Sequence, residues 1–107
     1  MSESTTDVRL EEDRDRYVLT LEGEFAGVAH FLPHGEQVVF THTVVDDRFE
    51  GHGLGSMLIR TALDDVRSRG KRIVPVCPFV QAYLAKHHEW DDIVDPPTRR
   101  LKKDLPD

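Results

Sequence analysis

The chain has 107 residues, 38% hydrophobic and 32% charged, which is the composition of one globular domain and not of a disordered segment. Its formal net charge of −6 argues against a nucleic-acid groove, which needs clustered Lys and Arg, and suits a cationic substrate instead. No apolar run approaches a membrane span, the acidic start MSESTTDVRLEEDRDR is unlike a signal peptide, and a lone cysteine, Cys77, excludes an internal disulfide and a Cys-rich zinc site.

A cytoplasmic protein with no membrane or nucleic-acid partner is therefore expected, with residues 1–15 and 96–107 as flexible tails around a single domain. Tyr17, Leu19 and Leu21 alternate with Val18, Thr20 and Glu22, the period-two pattern of a half-buried strand. Glu22-Gly23 reads as a tight turn into a second strand from Glu24 to Phe31. Pro33-His34-Gly35 marks the next turn, and the Val-, Phe- and Thr-rich run from Gln37 to Val45 predicts a third strand. The first half is thus an antiparallel meander.

From Leu54 onward the period changes. Met57, Leu58, Ala62, Leu63 and Val66 recur at three- and four-residue spacing, and Gly70 can cap the end, so residues 54–69 predict an amphipathic helix. Arg72 to Val76 is a short β-branched run, and Phe79 to His87 predicts a second helix with Val80, Tyr83 and Leu84 on one face. Strand, helix, strand in succession favours a right-handed crossover, with the Gln37–Val45 and Arg72–Val76 strands parallel. The fold class expected is mixed α and β, with helices packed on the sheet.

Between the third strand and the first helix stands RFEGHGLGSML, with Gly51, Gly53 and Gly55 at every second position. Glycines at a strand-to-helix junction bring unpaired first-turn amides and the positive end of the helix dipole close to a ligand, an arrangement suited to phosphate. A Walker loop would need Gly-Lys-Ser/Thr, but Gly55-Ser56-Met57 lacks the lysine. A Rossmann fingerprint fails at its third glycine, where Ser56 stands, and has Pro75-Val76-Cys77 where an acidic ribose ligand belongs.

The run Glu50-Gly51-His52-Gly53-Leu54-Gly55 resembles the Gln/Arg-x-x-Gly-x-Gly/Ala motif of the GNAT superfamily of acetyl-CoA-dependent N-acetyltransferases, with Glu50 where the family usually has Gln or Arg. Thr41 to Val45, Val74 to Val80, Tyr83-Leu84 and His87-His88-Glu89-Trp90 extend the resemblance over roughly residues 16–94, to a short single-domain subgroup. It implies a GNAT-like fold, acetyl-CoA as donor and an amine as acceptor, with coenzyme contacts from Val44, Val45, Gly51, His52, Gly53, Leu54, Gly55, Ser56, Pro78 and Phe79. It also implies that the pantetheine arm enters where two parallel strands part and pairs with the Val44 and Val45 backbone. Val44 stands where relatives often carry a polar residue, frequently Glu, so no catalytic role transfers to it.

Pro75 and Pro78 cannot donate ladder hydrogen bonds, so the fourth predicted strand should leave its neighbour near its end. Two side chains there are candidates for chemistry. Cys77 can protonate the departing thiolate or carry the acetyl group itself, and His42 on the facing strand can act as base. Direct transfer and a route through acetyl-Cys77 both stay open. Tyr83 is a further acid, more simply read as packing. His87 and His88 are adjacent at a helix end, and His30 and His34 border a turn, so no metal site is expected. The basic run Thr98 to Lys103 reads as a solvated tail.

The chain lacks the N-terminal helices that often shape the acceptor pocket in this family, which fits a protein or peptide amine better than an enclosed metabolite. A coenzyme A-binding module without turnover is the alternative, and a purely structural interaction domain the third reading.

Overall fold

The computed structural model describes residues 5–49 and 53–97. Among them β1 (Thr6–Glu11), β2 (Arg16–Leu21), β3 (Glu24–His34), β4 (Gln37–Val45) and β5 (Arg72–Pro75) form one sheet in that order, antiparallel except for the parallel β4–β5 pair. Helix α1 (Leu54–Ser68) makes the crossover from β4 to β5, and α2 (Pro78–Lys86) follows β5. This is the mixed sheet with packed helices that the sequence predicts.

The β2–β3 hairpin turns through Glu22 and Gly23, both at positive φ (51° and 83°), the geometry that matches the right-handed twist of the flanking strands. β3 runs on to His34, three residues beyond the predicted end, because Pro33 and His34 still pair with Val38 and Gln37. β1 lies within the segment expected to be a tail. Its Val8 and Leu10 pack against the edge of the core while Asp7 and Arg9 face solvent, so it is an alternating edge strand.

α1 buries Leu54, Leu58, Ile59, Ala62, Leu63 and Val66 against one sheet face. Met57, assigned to the apolar stripe from spacing, is 39% exposed, and Ile59 takes its place. The same core takes in Tyr17, Phe31 and Phe40 from the sheet and Val80, Tyr83 and Leu84 from α2. Beyond α2 the chain is pinned back: Trp90 Nε1 donates to Asp64 on α1 (3.0 Å), Asp95 N donates to Ile73 O (2.8 Å), and the Asp95 carboxylate accepts from Arg72 and Gln37. Both helices contribute to this core; the opposite sheet face carries a smaller cluster, Val39 and Val74 with Leu32 and Val76, and His30, His42 and Val44 lie outside both.

Candidate active site at the parted strands

β4 outruns β5. Their pairing ends at Phe40–Pro75, where Phe40 O accepts from both Val76 N (3.0 Å) and Cys77 N (2.7 Å), and the chain turns into α2. Residues 41–45 continue with β3 on one side and no β5 residue on the other.

The hydrogen-bond pattern fixes which amides face that gap. Asp46 N donates to Ala26 O (2.7 Å), so the Gly27–Val45 pair is of the non-bonded kind and the N–H and C=O of Val45 point away from β3. Two residues back, Thr43 does the same. Val44, in between, spends its backbone groups on the β3 ladder, so the backbone groups that face the gap are those of Val45 and Thr43 and not those of Val44.

Side chains gather at both ends of this open edge. At the inner end Cys77, 2% exposed and at the N-terminal end of α2, has its Sγ 3.3 Å from Thr43 Oγ1. At the outer end the first turns of α1 and α2 meet the strand: a Cβ built on Gly55 would lie 2.7 Å from Phe79 Cζ and 3.3 Å from Val45 Cγ2. Gly55 is therefore required by a close approach. Gly53 is required by conformation, since it caps α1 at φ 72° with nothing near its absent side chain. Leu54 is buried, whereas Ser56 is exposed at the helix start. Glu50, Gly51 and His52 lie outside the described residues, as does the basic run from Thr98.

Beside Phe79 a shallow cavity of about 180 Å³ is lined by Ser56, Phe79, Ala82, Tyr83, Lys86 and His87. Tyr83 stacks on His87 (centroids 4.3 Å apart), and burial pushes its phenol above the ordinary range, with Glu89 adding to the rise and nearby Arg60 opposing it. Lys86 and Arg60 thus put positive charge near the start of α1 in an acidic protein. Pro78 occupies the first position of α2, where its missing N–H costs nothing.

The two expected catalytic side chains do not meet. Val38 and Phe40 face the helices, and strict alternation would carry His42 to the same side. A bulge between the His30–His42 and Phe31–Phe40 pairs inserts Thr41, whose hydroxyl bonds His30 O (3.3 Å), and so reverses the phase. Thr43 and Val45 turn toward the helices, and His42 lies exposed on the other face, its ring 6.2 Å from that of His30. Burial, then His42 and then Arg16 hold the His30 imidazolium below its usual pKa range. His87 and His88 are spent locally, on Tyr83 and Asp91, and no group of three metal-ligating side chains occurs among the described residues.

Sequence reasoning missed Thr43, which contacts Cys77 from 34 positions away, and Lys86, whose value depends on α2 lying alongside the start of α1. A four-strand meander, a glycine-capped crossover helix and a parallel strand pair that opens beside it form the mixed fold seen here. The comparisons agree. The family model for GCN5-related N-acetyltransferases matches residues 16–93, and the chain belongs to that family.

Among solved structures, the chain is similar to a GCN5-like protein from Staphylococcus aureus at 18% identity and TM-score 0.64, over 87% of this chain and 91% of that one. It is similar to the ribosomal-protein-S18-alanine N-acetyltransferase of Escherichia coli at 23% identity and TM-score 0.54, over 60% of this chain but only 42% of the enzyme. The ribosomal-protein-alanine N-acetyltransferase of Brucella melitensis biovar Abortus matches at 19% identity and TM-score 0.50, over 78% of this chain and 64% of that one. No curated protein sequence matches the chain. No helix among the described residues is long and apolar enough to cross a membrane.

Proposed function

We propose that this protein transfers an acetyl group from acetyl-CoA to an amine, with a protein or peptide as the acceptor. The observation that carries this reading is the outward-facing Val45 amide, set between a left-handed helix start at Gly53 and the Cys77–Thr43 pair.

The residues fit the donor. Free amides in the first turn of α1, beginning after Gly53, receive its pyrophosphate, with Lys86 as a nearby cation. Leu54 is buried and contributes backbone alone, whereas the Ser56 hydroxyl is exposed. Phe79 and Val45 flank the arm, with Gly55 leaving room between them. When bound, acetyl-CoA supplies an activated acetyl thioester.

The remaining chemistry falls to the chain. Val45 N–H donates to an amide or carbonyl oxygen laid along the edge. β5 does not continue beside residues 41–45, so an amine arriving over the face that carries His42 meets its imidazole, and His42 takes the amine's proton. Cys77, on the helix side, supplies a proton to the leaving thiolate or accepts the acetyl group first. No helix covers the His42 face among the described residues, which favours an acceptor as large as a peptide. A cytoplasmic setting keeps Cys77 a thiol.

The test is turnover of acetyl-CoA with a panel of peptides bearing free N-termini or lysines, read by release of free coenzyme thiol and by mass of the acetylated peptide. The proposal expects turnover with at least one peptide, lost in His42→Ala. Coenzyme binding without turnover against any amine would make the protein a binding module, and no coenzyme binding would leave a structural domain.

A further inference from the structure

Among the described residues β1 is the free edge of the sheet, at the far side from the parted strands. Its backbone direction follows from one bond: Glu22 N donates to Thr5 O (2.7 Å), so Thr6–Leu21 is a non-bonded pair and Thr6 turns its N–H and C=O outward. By alternation Val8 and Leu10 do likewise. Three residues thus present donor and acceptor groups to solvent, with no proline or lysine in the strand to blunt the edge.

The side chains between them are Asp7 and Arg9, both exposed, on the same sheet face, and neither with an ion-pair or hydrogen-bond partner among the described residues. We infer that β1 pairs antiparallel with β1 of a second copy of this chain, centred on Val8. In that register Val8 faces Val8, Thr6 faces Leu10, and the outward groups form a ladder of about six hydrogen bonds. Asp7 then stands opposite Arg9 of the second copy, and Arg9 opposite its Asp7.

The neighbouring registers with the same facing groups are disfavoured. Slipping one way sets Asp7 against Asp7; slipping the other sets Arg9 against Arg9 and Asp7 against Glu11, and like charges directly opposite are destabilising. Slips by a single residue would turn the outward groups of one strand against the inward ones of the other. One arrangement satisfies both backbone and charge, and it is two-fold symmetric, as closed homodimers are. It also leaves both β4–β5 gaps free at opposite ends of a continuous sheet.

The experiment is sedimentation of the full chain over a wide concentration range, with Asp7→Arg, Arg9→Asp, the double exchange, and an equimolar mixture of the two single variants. The intact protein should reach twice its 12.3 kDa mass. Each single variant, now carrying like charges at both contacts, should dissociate about tenfold more readily or worse. The double exchange should restore pairing, and the mixture should form a dimer that neither variant forms alone, which also shows that both are folded. An intact chain that stays monomeric, single variants that dimerise as well as the intact protein, or a mixture that stays monomeric would each overturn the inference.

Discussion

Replacing Gly55 by alanine separates a structural reason for this glycine from a ligand-binding one. The added methyl group would sit 2.7 Å from Phe79 Cζ and 3.3 Å from Val45 Cγ2, so something must move. Phe79 can, because the atom is the far end of a ring that is 40% exposed. Loss of part of its burial costs about 1 kcal/mol. The gain from alanine over glycine inside a helix is about 0.5–1 kcal/mol, so stability should change by less than about 1 kcal/mol.

Coenzyme binding should not be spared, since the methyl and the displaced ring both enter the space between Val45 and Phe79 where the donor arm is proposed to lie. A loss of at least about tenfold in affinity, about 1.4 kcal/mol, is expected. Denaturant unfolding gives the first quantity and calorimetric titration with CoA the second. Repeating Gly55→Ala in a Phe79→Ala background should recover non-additively, since only Val45 would then crowd the methyl. Unfolding weakened by more than about 2 kcal/mol would show that Phe79 is locked in place. Undiminished coenzyme affinity would refute the placement of the arm.

Other consequences can be checked alongside. Cys77→Ser should remove any acetylated protein seen by mass spectrometry after incubation with acetyl-CoA; loss of turnover as well would select the route through the cysteine, and retained turnover the direct one. Tyr17→Phe deletes a 2.7 Å bond to the Asp65 carboxylate, which keeps Arg69 as a second partner, and should cost about 1.5–3 kcal/mol in denaturant unfolding. His30 titrates below its unfolded value, so the unfolded chain binds more protons as pH falls through that range. Stability should therefore decline on acidification from neutrality toward the depressed folded pKa, and His30→Gln should flatten that part of the curve; an unchanged slope would contradict the assignment.

Much of this site could be read from local pattern. The glycine-capped helix after a β-branched strand, and the prolines that end β5, are short-range signals whose physical meaning does not depend on distant contacts. What failed to show was of two kinds. β1 carries a true alternation in Thr6, Val8 and Leu10, but the acidic residues around it look like a solvated tail, and only pairing with β2 orders them. That His42 lies on the face away from Cys77 could not be read, because one bulged residue, Thr41, reverses the strand's phase, and a bulge leaves no mark in a run of β-formers. Met57 and Ile59 trade places because the buried half of the helix runs from Leu54 round to Leu63, which takes in Ile59 and leaves Met57 beyond its edge.

The most direct test of the account is the amide of Val45 itself, followed by nuclear magnetic resonance and hydrogen exchange on the labelled chain with and without acetyl-CoA. In the free protein this N–H has no partner among the described residues and should exchange quickly, while that of Val44, bonded to β3, should be protected. Addition of acetyl-CoA should slow exchange at Val45 and shift its resonance together with those of the first turn of α1. A coenzyme that perturbs the α1 turn but leaves Val45 exchanging as before would contradict the claim that the parted strand edge holds the reactive end.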